Sequence, residues 1–338
     1  MTNLHSKATV VVTGGTGFLG AYILMELVRK GYGVRAIRRQ ASTPFFLPPE
    51  VREKIEWISC DVLDPPGLEE AMTGADAVVH AAAKISFDRR KRRELWSTNI
   101  EGTANVVNAA LTQRVRRFVY ISSVAALGRT GGSEAITEEK SWEDNPYNTN
   151  YAISKYHGEM EVWRGIGEGL PAVIANPGTI LGYGDWNNGS CAIFRSAYNE
   201  FPWYTEGING FVDVSDAAGA IVRLLGTDIT GERYILNGDN WTWRRLFETM
   251  ATEFGKKPPT REATPFLTGL AWRAEKIKSL ATGRPALLTR ESARVAASKN
   301  FFSNAKILRE LPGFRFTPLN ETIHSACQAY ISYLSTSK

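Results

Sequence analysis

Thr13-Gly14-Gly15-Thr16-Gly17-Phe18-Leu19-Gly20 is the stretch on which the fold turns. It satisfies two glycine spacings at once, Gly15, Gly17 and Gly20 in one and Gly14, Gly17 and Gly20 in the other. Just before it stands Val10-Val11-Val12, a short β-branched run of the kind that forms a strand buried on both faces. Just after it, Phe18, Leu19, Tyr22, Ile23, Leu27 and Val28 recur at three- and four-residue spacing, which predicts a helix closed by Gly31. Glycines between a strand and a helix let backbone N–H groups and the helix N-terminus approach a pyrophosphate with no Cβ in the way. Gly14, Thr16, Gly17, Phe18, Leu19 and Gly20 are therefore expected to bind the phosphates of a dinucleotide.

Outward from that turn the alternation repeats. Strands are predicted at Val34 to Ile37, Ile55 to Ser59, Ala77 to His80, Phe118 to Ile121 and Ala172 to Ala175. Helices are predicted over Gly67 to Met72, Thr98 to Leu111 and Tyr151 to Gly165. Such alternation implies right-handed crossovers and an α/β, doubly wound parallel sheet, the Rossmann architecture. Past Pro177 the texture changes, with Gly, Asn, Trp and Pro crowded over 178–210. A smaller C-terminal substrate lobe is expected there, interleaved with the first domain. The dinucleotide-binding domain takes residues 1–176 and about 211–227, where Phe211 to Leu225 reads as strand then helix. The substrate lobe takes 177–210 and 228–338.

Composition limits the classes open to the chain. Of its 338 residues 43% are hydrophobic and 22% charged, the proportions of a globular protein with room for a sizeable core. Forty Lys and Arg against 35 Asp and Glu leave +5, which suits an anionic ligand and does not require nucleic acid. The densest basic run, Arg89-Arg90-Lys91-Arg92-Arg93, is followed at once by Glu94 and reads as the solvated start of a helix. Cys60, Cys191 and Cys327 stand far apart with no metal-ligand spacing, so no metal is expected and a reduced, cytoplasmic setting fits best. The opening residues run into the first strand with no leader-like apolar stretch, and no segment approaches the apolar length of a membrane span.

The end of the second strand ordinarily selects the cofactor, because an acidic residue there accepts from a ribose 2′-OH and repels a 2′-phosphate. Here it reads Ile37-Arg38-Arg39. Two guanidiniums and no carboxylate favour NADP(H) over NAD(H), while a pair of solvated arginines is the plainer reading. Asp61-Val62, after the third strand, can meet the adenine, or Asp61 can cap a turn.

Tyr151-Ala152-Ile153-Ser154-Lys155 puts a phenol and an ammonium four residues apart, on one face of a helix. A neighbouring ammonium favours the phenolate, so Tyr151 can exchange a proton with a substrate oxygen while a hydride transfers. Alone, that spacing is common on protein surfaces. Ser122-Ser123, at the carboxyl end of the Phe118 to Ile121 strand where ligands of open α/β sheets bind, gives it weight.

TGGTGFLG, Asp61-Val62, His80-Ala81-Ala82-Ala83, Asn99 in NIEGTANVV, ISSVAALG and YAISK follow one another in an order that resembles the extended short-chain dehydrogenases/reductases of the NAD-dependent epimerase/dehydratase superfamily. The match runs from about residue 8 to 225 and more weakly beyond. The resemblance implies that Ser123, five residues before Gly128, is the catalytic serine and Tyr151 the acid/base. Lys155 would hold the nicotinamide ribose and lower the Tyr151 pKa, and Asn99 would fix the local helix and a water relay. Ala81, Ala82, Ala83 and Ile121 would line the cofactor, with Pro177 beside the nicotinamide. Lys84, Ser123, Asn176, Tyr183 and Trp186 are candidate substrate contacts, though aromatic residues there are as often core. GYGVRAIRR is most similar to the dihydroflavonol-4-reductase-like branch, whose arginine on the 2′-phosphate falls on Arg39. Arg38 takes the place of the acidic residue in NAD-using epimerases, and HAAAKISFD departs from the plant reductases. Members often dimerise through the helices carrying Asn99 and Tyr151, so a homodimer is one arrangement the resemblance allows.

The leading expectation is thus an NADP(H)-dependent oxidoreductase that interconverts a carbonyl and an alcohol on a small or medium organic substrate, without nucleic-acid or membrane partners. An NAD-dependent nucleotide-sugar epimerase or dehydratase is the alternative. Val124 and Ala125 after Ser123, in place of an Asp-Glu pair, speak against a dehydratase, and Arg38-Arg39 against an epimerase. A non-catalytic dinucleotide sensor is a third reading, opposed by the intact Ser123, Tyr151 and Lys155.

Overall fold

The computed structural model describes residues 7–128, 134–145, 148–264, 267, 272 and 289–336. At its centre seven strands lie side by side: β1 (Thr9–Thr13), β2 (Gly33–Arg38), β3 (Ile55–Ser59), β4 (Ala77–His80), β5 (Arg117–Ile121), β6 (Ala172–Pro177) and β7 (Glu232–Leu236). Their order across the sheet is β7-β6-β5-β4-β1-β2-β3, and every neighbouring pair is parallel. Side chains alternate between the faces of a strand, so Val10 and Val12 enter one core and Val11 the other. Each fully buried Val contributes about 1.5–3 kcal/mol of transfer free energy.

Two helical layers cover the sheet. On one face α1 (Phe18–Arg29) supplies Ile23, Leu24 and Leu27, joined by Ile221 and Leu224 further along the chain. On the other, α2 (Gly102–Thr112) and α3 (Asn150–Gly167) supply Val106, Val107 and Val162. The first helix stops as its sequence requires. Gly31 takes φ 82°, Tyr32 N–H reaches back to the Leu27 carbonyl at 3.1 Å, and the orphaned last turn is satisfied. The expected helix over Thr98 to Leu111 opens differently, as one π turn, Ser97–Glu101, leading into α2.

Phe211 departs from its expected place. Its strand, Ile208–Asp213, does not join the central sheet but pairs with Thr179–Leu181 and Asp239–Thr242 in a separate three-stranded sheet. Only the following helix, α4 (Val214–Leu225), returns to pack on α1. The place beside β6 is filled instead by β7, which lies inside the stretch 228–338 assigned to the second lobe. As an edge strand, Glu-Arg-Tyr-Ile-Leu is only partly apolar, so periodicity does not mark it. A third core gathers Phe194, Leu246, Met250 and Phe254 with Ile323 and Tyr330, on α5 (Trp243–Phe254) and α6 (Leu319–Thr336) among others. Trp241 is core in this cluster. Residues 265–266, 268–271 and 273–288 of the expected lobe lie outside the described residues. Among the described residues no helix is long and apolar enough to cross a membrane.

Candidate active site

β1 lies between β2 and β4, so the connections after β1 and β4 leave the sheet on opposite faces and open a crevice at its carboxyl edge. A cavity of about 1030 Å³ occupies that edge, at the upper end of what small-ligand sites hold. Gly14, Thr16, Gly17, Phe18, Leu19 and Gly20 line it. The turn is tight because Gly17 N–H donates to the Gly14 carbonyl at 3.0 Å. Gly14 sits at φ +73°, and a Cβ there would fall 2.5 Å from the Ala82 nitrogen. A Cβ on Gly20 would fall 2.1 Å from the Gly14 oxygen. Opposite, Ala81 N–H donates to the Thr13 carbonyl at 3.1 Å and Ala82 N–H to Thr13 Oγ1 at 3.2 Å. This turns Ala81 and Ala83 to the cavity, while Ala82 packs into the core behind.

The residues expected to transfer a proton come together on the far wall. Ser123 caps a short 3-10 turn, its Oγ accepting from Ala125 N–H at 3.2 Å. Thr149 caps α3 by accepting from Ala152 N–H at 3.0 Å, which sets Tyr151 in the first turn. The Tyr151 phenol and the Ser123 hydroxyl lie beside each other. Both line the cavity with Lys155, Ile121 and Pro177. Burial raises the Tyr151 pKa above its ordinary value, and the Ser123 hydroxyl opposes that rise. Lys155 Nζ donates to Tyr120 OH at 2.9 Å and to the Ile121 carbonyl at 2.8 Å. Burial brings its pKa down to about 7, against the pull of Glu159. Lys155, expected to lower the Tyr151 pKa, is not among the causes of its shift, and burial sets the direction.

Asn99 lies in the π turn, almost fully buried, and acts as a clamp. Its Oδ1 accepts from Lys84 N–H at 2.7 Å, and its Nδ2 donates to the Lys84 carbonyl and to Ser154 Oγ, each at 2.9 Å. It thus ties the segment after β4 to the helix carrying Tyr151.

Other expected residues lie elsewhere. Arg38 stacks over Trp57 at 5.0 Å and donates to the Ala41 carbonyl at 2.9 Å; Arg39 is exposed, and neither lines the cavity. Asp61 takes the turn role, accepting from Leu63 N–H at 3.0 Å, and Val62 is core. Lys84 turns its ammonium to Glu94, away from the cavity. Asn176 is buried and donates to the Ser123 carbonyl at 3.1 Å, so it touches the site from behind. Tyr183 and Trp186 pack on Tyr330, at 5.1 and 5.5 Å between centroids, as parts of the third core. Both rings are half-buried against that core, and neither lines the cavity.

The cavity also holds residues that sequence reasoning missed. Ser42–Phe46, Ile85, Phe87, Ile180, Cys191 and Ile193 converge on it from separate segments of the chain, and Phe87 meets Tyr151 edge-on at 6.2 Å. Ile85 and Phe45 are largely exposed at its margin, a pattern no local spacing announces. Glu159 carried a local signal, one helical turn beyond Lys155.

His80 closes the floor of the site. Fully buried, it bonds Thr13 Oγ1 through Nδ1 at 2.6 Å and Thr103 Oγ1 through Nε2 at 3.0 Å. Burial, with Lys155 nearby, depresses its pKa from 6.5 to about 3. The unfolded chain takes up this proton near 6.5 and the fold does not, so stability present above that pH is lost as pH falls from 6.5 toward 3. Thermal and denaturant melts of His80→Gln are expected to lack a slope of about 1.4 kcal/mol per pH unit in that window. An unchanged slope would place the proton uptake elsewhere.

The chain matches the model of the NAD dependent epimerase/dehydratase family over residues 10–236. A Synechocystis sp. protein named "Putative dihydroflavonol 4-reductase" is 31% identical, with 89% of this chain and 88% of that one covered. Cinnamoyl-CoA reductase 1 of Oryza sativa subsp. japonica is 27% identical, with 96% of this chain and 90% of that one covered. The crystal structure of gox2253 superposes at a TM-score of 0.80 and 28% identity, covering 97% of this chain and 99% of that one.

Proposed function

The chain belongs to the NAD dependent epimerase/dehydratase family, and from that premise we propose that it interconverts a carbonyl and an alcohol on an organic substrate of small or medium size. It is an NAD(P)-dependent oxidoreductase of the extended short-chain dehydrogenase/reductase type, most similar to the dihydroflavonol-4-reductase-like branch. The observation that carries the proposal is that Ser123, Tyr151 and Lys155 line the same cavity as the glycine turn.

A dinucleotide fits these residues. Gly17 lines the cavity, and a Cβ there would meet nothing but the Gly14 oxygen at 3.2 Å, so the space a side chain would fill is left to a ligand. Gly14, Thr16, Gly17, Phe18, Leu19 and Gly20 would hold its phosphates, and Ala81, Ala83, Ile121, Lys155 and Pro177 its nicotinamide half. NADPH, when bound, supplies the hydride. Tyr151 donates its phenolic proton to the substrate oxygen, and Ser123 Oγ, in the same cavity, hydrogen-bonds the same oxygen. Lys155 has two of its three protons committed to Tyr120 and Ile121, which leaves one for a ribose hydroxyl. Ile85, Phe87, Ile180 and Ile193 in the wall favour a substrate with an apolar body.

Preference for NADP(H) rests on Arg39, exposed and without an ion pair among the described residues, next in sequence to the Ser42–Phe46 wall. Fluorescence titration of cofactor-stripped protein is expected to favour NADPH over NADH by about tenfold, roughly 1.4 kcal/mol. Arg39→Ala should weaken NADPH and leave NADH nearly unchanged. Equal losses for both, or a cofactor that cannot be stripped, would shift the reading to an NAD-dependent epimerase.

A further inference from the structure

Glu159 is a fully buried carboxylate on α3, one turn beyond Lys155, and none of the steps above uses it. Its Oε2 accepts from Ser122 Oγ at 2.7 Å and from Asn176 Nδ2 at 2.9 Å, and its Oε1 accepts from Arg233 at 3.0 Å. The same Asn176 amide holds the Ser123 carbonyl. A buried ion pair is seldom worth more than apolar packing of the same shape, so Arg233 explains how Glu159 is tolerated and not why it is there. Its neighbours supply the reason.

We propose that Glu159 is a positioning residue for the proton-transfer group, a buried countercharge one helical turn from the Lys155 ammonium that also braces the Ser123 turn through Asn176. The proposal rests on the roles given above to Lys155 and Ser123. Around Lys155 stand His80 on β4, Tyr120 on β5, and Tyr151 and Glu159 on its own helix, with Arg233 on β7 paired to Glu159. Burial holds His80 neutral and pushes both tyrosines above their ordinary values, and Glu159 is the one carboxyl named among these groups. Burial also drives Lys155 toward its neutral form, and Glu159 opposes this. Losing the carboxylate charge should let desolvation win.

The test is an NMR titration of protein labelled with carbon-13 at lysine Cε, with Lys155 assigned as the resonance missing from Lys155→Met. Glu159→Gln is expected to move the Lys155 midpoint down by about one pH unit, a tenfold loss of ammonium above the midpoint. Because that change strands Arg233, Glu159→Gln/Arg233→Met is titrated beside it; this variant removes the pair together, and its midpoint should also stay below the parent's. Either variant, folded by circular dichroism, titrating at the parent midpoint overturns the proposal. No substrate enters the measurement, so its outcome is independent of whether Tyr151 proves to be the acid.

Discussion

Tyr151→Phe is expected to lower turnover by about 10²–10⁴-fold, the usual worth of a positioned acid or base, while NADPH affinity stays within about twofold. The substitution removes one oxygen and little else. The ring keeps its edge contact with Phe87, Ser123 keeps Ala125 N–H, and Lys155 keeps Tyr120 and Ile121, since none of those bonds involves the phenol. Stability should change by no more than about 1 kcal/mol, the net value of one hydrogen bond. A loss of 10²–10⁴ corresponds to roughly 3–5 kcal/mol of transition-state stabilisation, far more than that bond supplies to folding, so the two effects separate cleanly. Direction follows from charge. Burial keeps Tyr151 a phenol through neutral pH, which suits proton donation to a carbonyl, and oxidation of the alcohol should gain as pH rises. The measurement is NADPH fluorescence loss over a panel of aliphatic and aromatic aldehydes and ketones. Undiminished turnover by Tyr151→Phe on every substrate the parent accepts would end the acid/base assignment.

How much of this was legible in the sequence depended on whether the signal was local. The glycine turn, Ser123 and the Tyr151/Lys155 spacing were readable because strand, turn and helix periodicities place them within a few residues of their own neighbours. The partners of Arg38 are not legible locally because Trp57, which takes its guanidinium, comes from the adjacent strand, and Ala41 from the loop beyond. Tyr183 and Trp186 occupy a pocket-like sequence context, yet Tyr330, near the far end of the chain, draws both rings into a core. β7 escaped notice since an edge strand needs only part of its length apolar. In each case the deciding partner lies far away in sequence. Ser122 and Ser123 show the same limit at one-residue scale: adjacent in a strand end, they point apart, Ser122 to Glu159 and Ser123 to Tyr151.

Gly17→Ala and Gly20→Ala should part company, because an added Cβ meets different surroundings at the two positions. At Gly20 a methyl would lie 2.1 Å from the Gly14 oxygen and 2.9 Å from the Gly15 Cα, and both are backbone that cannot swing aside. The helix would have to move off the turn, undoing the fit between α1 and β1. Such overpacking costs about 1–3 kcal/mol or more, so a clear fall in Tm is expected before any ligand is considered. Gly17 is different, since its new methyl would press only on the Gly14 oxygen at 3.2 Å, a few tenths of an ångström too close. The fold should absorb that with little change in Tm. The methyl would nevertheless stand in the cavity where a phosphate must approach backbone N–H groups, and NADPH affinity should drop at least tenfold, or about 1.4 kcal/mol. Differential scanning fluorimetry with and without NADPH reads both effects together. Gly20→Ala should melt early in either condition. Gly17→Ala should melt like the parent alone and lose the parent's upward shift with NADPH, because ligand stabilisation grows with the logarithm of concentration over Kd. A Gly17→Ala protein that keeps the full shift would mean that the dinucleotide does not rest on this turn, and the cofactor assignment of residues 14–20 would fall with it.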